Sequence, residues 1–167
     1  FLLANDTVHG PLNEKISVKK NKMTIGRKTI SVLNEKDPQK LPWKKMKIDV
    51  ALECTGLFTS KEKASMHINA GAKKVLVSAP CSEADKTIVY GVNEQEITHN
   101  DLVVSNASCT TNCLAPVVKV LHEKFGIVHG YMTTIHAFTG DQSVLDTFHP
   151  DLRRARAASM SMIPTST

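Results

Sequence analysis

The sequence predicts an α/β chain built on a parallel sheet, and three observations carry that prediction. Residues 48–52 and 74–77 are short apolar runs of the buried-strand type, Ile-Asp-Val-Ala-Leu and Lys-Val-Leu-Val. Between them lies a helical stretch that opens near Ser60 and closes at Gly71. Strand, helix, strand at this spacing is a parallel crossover unit. The third observation is a strand-like run, 102–104, that feeds the stretch Ser105-Asn106-Ala107-Ser108-Cys109-Thr110-Thr111-Asn112-Cys113-Leu114-Ala115-Pro116. An amphipathic helix leads out of it, with Leu114, Val117, Val118, Leu121 and Phe125 at helical spacing and Gly126 as the stop.

The remaining elements follow in order. Short strands are expected over 16–18, 23–25 and 29–32, separated by Asn-, Lys- and Gly-containing turns, and they would fill out an edge of the sheet. His9 belongs to a turn. Asp37-Pro38 and Leu41-Pro42-Trp43 break the chain before the first buried strand. Ligands of open parallel sheets bind at the carboxyl ends of strands, which here are Thr55-Gly56 and Ser78-Ala79-Pro80. Residues 88–92 read as a further strand, and 128–135 as a strand delivering His136. Pro116 is expected to kink the helix or confine its regular part to one side.

Composition narrows the function classes. A chain of 167 residues with 41% apolar and 22% charged residues can bury a real core. The net charge of +5 comes from scattered lysines and arginines, and aromatics are only 5%, so the basic residues read as a solvated surface and not a nucleic-acid site. No apolar run is long enough to span a membrane and no signal peptide is visible. Cys54, Cys81 and Cys113 have neither metal-type nor disulfide-framework spacing, so no metal is expected and the compartment implied is reducing cytosol.

Cys109 stands where a strand gives way to a helix. Unpaired amides and the positive end of the helix dipole favour an anion there, and the reactive form of cysteine is the thiolate. Ser108 and Thr110 flank it with hydroxyls that, with helix-start amides, suit a phosphate or an oxyanion. His136 follows as a candidate base. Local context leaves two readings of Cys109 side by side: an activated nucleophile, or an inert buried cysteine.

The stretch Ser105–Pro116 resembles the active-site signature of the phosphorylating, bacterial-type glyceraldehyde-3-phosphate dehydrogenases. Other stretches match that family in order: 34–38, 53–59, 77–80, 90–93, 134–142 and 163–167. The resemblance implies a partial Rossmann-like NAD-binding domain over 1–107 and a partial α+β catalytic domain over 108–167, so the chain reads as an internal fragment. It implies Cys109 as nucleophile and His136 as base, with Ser108, Thr110 and Thr167 facing the attacking inorganic phosphate. Thr139 and Arg154 would take the substrate's own phosphate, with Asp141 positioning that region, and Arg153 and Arg156 would be structural. Lys36, Thr55 and Ser78 would line the cofactor, NAD, with NADP left open. The implied activity is glycolytic oxidation of glyceraldehyde 3-phosphate through a cysteine thioester, in a cytoplasmic homotetramer.

No G-x-G-x-x-G fingerprint is present, so the dinucleotide expectation rests on the resemblance alone. Three rivals can be weighed. Erythrose-4-phosphate dehydrogenase shares the nucleophile, but residues 137–140 and 164–167 look more like the glyceraldehyde enzyme. A nicotinamide-independent cysteine hydrolase is disfavoured by the strand ends at Thr55 and Ser78. A nucleic-acid binder would need a steep salt dependence.

Overall fold

The parallel crossover is the centre of the fold. A computed structural model describes residues 1–166. Two short antiparallel pieces come first: a hairpin of β1 (Asn5–Asp6) and β2 (Gly10–Pro11), then β3 (Ile16–Lys19), β4 (Lys22–Ile25) and β5 (Lys28–Ser31). A 3-10 turn, Pro38–Lys40, capped by Asp37, and a short helix, α1 (Trp43–Met46), lead to β6 (Val50–Glu53). Then follow α2 (Lys61–Asn69), β7 (Lys74–Val77), β8 (Lys86–Thr87), β9 (Val103–Ser105) and α3 (Cys109–Phe125).

The main sheet has the order β6-β7-β9-β8, and every pair in it is parallel. Its register sets Glu53 beside Val77 and Val77 beside Ser105, so three strand ends open on one edge. Val75, Val77 and Val103 fill the middle, packed with Ala51, Ala64 and Ala72 and flanked by Trp43 and Ile48. Each of those valines contributes about 1.5–3 kcal/mol by leaving water. Ser60 caps α2 by accepting the Lys63 amide, and Ala64 and His67 form its buried face.

Four expectations need correction. First, β3–β5 do not extend the parallel sheet but close on one another as a separate antiparallel sheet. Tight turns favour antiparallel neighbours, whereas joining a parallel sheet needs a crossover. Second, β6 is an edge strand covered on one face, so Ala51 and Glu53 are buried while Val50 and Leu52 are exposed. Third, the strand expected at 88–92 lies earlier, at Lys86–Thr87. Ile88 still donates to Ser105, but Asn93 Oδ1 accepts the Val89 amide and Gly91 turns at φ +81°, which ends pairing. Fourth, residues 128–135 form no strand. A strand needs a hydrogen-bonding neighbour, none pairs with this run among the described residues, and residues 121–141 are exposed throughout.

Pro116 leaves α3 regular on both sides, from Cys109 to Phe125, at the loss of one backbone bond. No helix among the described residues is long and apolar enough to cross a membrane.

Candidate active site

The turn between β9 and α3 is fastened from below. Ser105, fully buried, donates its hydroxyl to the Ala79 carbonyl at 2.9 Å and accepts the amides of Ala107 and Cys81 at 3.1 and 3.2 Å. Asn112 closes the turn from above, donating to the carbonyls of Asn106 (2.6 Å) and Ser108 (2.9 Å). Ala107 sits at φ +58°, a conformation that costs a residue with a Cβ about 1–2 kcal/mol. The strain is stored directly before the helix cap, where it aims the next two residues.

Ser108 is that cap: its Oγ accepts the Thr111 amide at 3.0 Å. Cys109 therefore occupies the first helical position of a 17-residue helix, exposed, at the positive end of the dipole. His136, the largest cause, together with the Thr110 amide and hydroxyl, holds the Cys109 thiol below its ordinary pKa. The His136 imidazole is pushed the other way, first by the Ala137 carbonyl that accepts from its Nδ1 at 2.6 Å and then by the thiolate. With Nδ1 engaged, Nε2 is the nitrogen left for the sulfur. Of the two readings of Cys109, the inert buried one does not hold.

Cys109, Thr110, His136, Thr139, Asp141 and Arg154 border one open cavity of ≈ 480 Å³. That size lies within the range of small-molecule sites. Arg154 is held in a fixed pose: it is ion-paired with Asp141, donates Nε to Thr165 Oγ1 at 2.7 Å and Nη2 to the Ser166 carbonyl at 3.2 Å. Its neighbours behave differently. Arg153 clasps Asp151 at 2.9 Å and holds that carboxyl down at about 2, and Arg156 reaches Asp146 at 3.3 Å on the surface.

The other expected residues sort themselves by position. Ser108 borders a neighbouring hollow with Thr59, Cys81 and Ser82, and its oxygen serves the helix cap. Thr55 and Ser78 are exposed at the carboxyl ends of the adjacent strands β6 and β7. Lys36 is exposed on the loop before the 3-10 turn, and Thr167 lies outside the described residues. Sequence reasoning missed Thr134, Gln142 and Thr165 at the cavity, and Ser105 and Asn112 as builders of the turn. All five lie inside stretches that resemble the family, so the signal was present, but hydroxyls and amides carry no periodicity that separates a lining residue from a loop residue.

Comparison with known proteins decides the family. The model for "Glyceraldehyde 3-phosphate dehydrogenase, C-terminal domain" matches residues 108–167, and that for "Glyceraldehyde 3-phosphate dehydrogenase, NAD binding domain" matches residues 1–61. The chain belongs to the glyceraldehyde-3-phosphate dehydrogenase family.

Curated members of this family align along nearly all of it. A glyceraldehyde-3-phosphate dehydrogenase of Cereibacter sphaeroides is 59% identical over 166 residues, 99% of this chain and 49% of that protein. Those of Zymomonas mobilis and Clostridium acetobutylicum are 57% and 55% identical, each over 168 residues, covering 100% and 99% of this chain and 50% of each relative. The chain thus spans about half the length of the curated relatives it matches. Within the dehydrogenase family, Cys109, His136 and Arg154 all fall in the segment matched by the C-terminal domain model.

Proposed function

We propose that the protein is a phosphorylating glyceraldehyde-3-phosphate dehydrogenase, which converts glyceraldehyde 3-phosphate, inorganic phosphate and NAD to 1,3-bisphosphoglycerate and NADH in glycolysis. The observation that carries this reading is a helix-start cysteine, its thiol held below the ordinary value by His136, in one cavity with that imidazole and a fixed arginine. In this reading Cys109, as thiolate, attacks the aldehyde carbon. His136 takes the thiol proton on Nε2 and keeps it near the sulfur. The acyl group then rests on Cys109 as a thioester, whose carbonyl stays open to the attacking phosphate. Thr139 and Arg154, with Asp141 behind the guanidinium, would hold the substrate's phosphate, while Ser108, Thr110 and Thr167 would serve the attacking one. A guanidinium suits the first role because its fork can bind an oxyanion at two points.

The cofactor expected is NAD, and it supplies the hydride acceptor when bound. Thr55 and Ser78 fit a dinucleotide because they are exposed residues at adjacent carboxyl ends of a parallel sheet, the usual place for such ligands. Lys36 would meet its far end. The domain division proposed is 1–107 for the cofactor and 108–167 for catalysis. The assembly proposed is a homotetramer, and the compartment the cytoplasm.

The deciding experiment is aldehyde-dependent NAD reduction by the full-length protein, with and without phosphate, beside Cys109→Ala. Turnover that requires phosphate and vanishes in the variant is expected. Turnover indifferent to phosphate would sink the phosphorylating reading, and none at all would sink the oxidoreductase reading.

A further inference from the structure

Beneath the carboxyl end of β6 runs a buried polar chain that the chemistry above does not use. Trp43 Nε1 donates to His67 Nδ1 at 3.0 Å, and His67 Nε2 lies 2.9 Å from Glu53 Oε2. Because Nδ1 accepts the indole proton, a neutral imidazole carries its own proton on Nε2 and donates it to the carboxylate. The second carboxylate oxygen, Oε1, accepts the Thr55 amide at 2.8 Å and also the Thr55 hydroxyl. The His67 and Glu53 side chains are only 7% and 2% exposed. The Trp43 ring stacks on His67 with centroids 6.3 Å apart, and Phe58 meets it edge-on.

A buried carboxylate costs several kcal/mol unless its oxygens are hydrogen-bonded, so filling the space does not explain this one. Its neighbours on the same buried surface, Ala51, Val75 and Val77, show what filler looks like here. A charge at position 53 adds a rigid acceptor for the loop that follows. Thr55 passes the restraint on, since its hydroxyl accepts the Leu57 amide at 3.1 Å, and Gly56 between them turns at φ +73°.

The geometry points to Glu53, braced by His67 and Trp43, as the positioning residue that fixes loop 54–57 at the strand end for the dinucleotide. This rests on the reading of Thr55 as a cofactor residue. Burial pushes the Glu53 carboxyl up, but hydrogen bonds from Thr55 and His67 outweigh it and leave it below its ordinary value, ionised as an acceptor of three donors must be.

Glu53→Gln tests the idea in the full-length protein. An amide has one acceptor oxygen, so whichever way it turns a donor faces either Thr55 or His67. Three quantities are read: amide exchange over loop 54–57, KM for NAD against kcat, and the melting temperature. Expected are faster loop exchange and a KM for NAD raised about fivefold, the effect of one lost hydrogen bond, with kcat and KM for the aldehyde little changed. Thr55→Val should raise KM in the same way, and the double variant should be no worse than the single ones. Thr55 is exposed, so Thr55→Val carries the test even if Glu53→Gln fails to fold. A lower melting temperature with KM for NAD unchanged in both Glu53→Gln and Thr55→Val would overturn the proposal and leave Glu53 a purely structural residue. An unsubstituted protein that binds no NAD would instead overturn the cofactor reading itself, before any variant is made.

Discussion

His136 holds Cys109 from outside the regular structure: the sulfur stands on the first turn of α3, while the imidazole comes from a segment with neither helix nor strand. The sulfur's direction is therefore set by the turn beneath it, and its protonation by a residue reached from afar in the chain.

The pH dependence of thiol reactivity follows from that pair. The thiol is held below its ordinary value chiefly by His136, and the imidazole above its own by the Ala137 carbonyl and then by the thiolate. A lowered thiol pKa means that the thiolate persists to lower pH than in a free cysteine. The inflection of iodoacetamide alkylation at Cys109 is expected below that of a free cysteine thiol. His136→Asn should move the Cys109 inflection up. An unmoved Cys109 inflection would show that the helix start alone activates the sulfur.

Arg154 differs from its neighbours in what it touches. It meets Asp141, Thr165 and Ser166 at the cavity and only reaches Asp151 at 3.9 Å, whereas Arg153 clasps Asp151 at 2.9 Å and Arg156 pairs with Asp146. Arg154→Lys keeps the charge but loses the fork, and it should raise KM for a phosphorylated substrate about tenfold. Arg156→Lys weakens a surface ion pair worth about 0–1 kcal/mol and should leave KM where it was. Equal effects of the two would remove Arg154 from the substrate site.

Much of this was legible in the chain because it is local. The crossover β6-α2-β7 follows from apolar runs and a Ser cap, and Cys109 at a helix start follows from the same kind of signal. What could not be read depends on partners distant in sequence. β3–β5 pair with one another and not with the main sheet, and residues 128–135 stay unpaired, because β pairing is decided by which edge is available and not by the run itself. Ser108 was legible as a hydroxyl beside the cysteine, but only the geometry shows that oxygen on the Thr111 amide. The Glu53–His67–Trp43 chain joins three separate elements, and a polar contact of that kind has no periodic trace.

Ser105 is the fastening whose removal should be felt twice. Its buried hydroxyl serves the Ala79 carbonyl and the amides of Cys81 and Ala107, so Ser105→Ala leaves buried groups unpaired at a cost of about 1–3 kcal/mol. Urea unfolding measures that loss. The same change loosens the turn that aims Cys109, so kcat of the folded variant should fall while the alkylation inflection, set by His136 and Thr110, stays in place. A loss of stability with kcat intact would mean that Asn112 alone suffices to hold the turn.

Ala107 gives the opposite kind of test, because here a smaller residue should help. Its φ of +58° is one that glycine adopts without penalty, so Ala107→Gly relieves about 1–2 kcal/mol of strain. Against that stands the greater freedom of glycine in the unfolded chain, about 0.4–1 kcal/mol. The balance predicts stabilisation of about 0–1.6 kcal/mol, read as a raised urea midpoint at an unchanged slope. Ala107→Val should do the reverse and by more, since a β-branched side chain tolerates the conformation poorly and the site is buried. A glycine variant clearly less stable than the parent would show that the alanine methyl is held for its packing, and that the turn before Cys109 carries little strain.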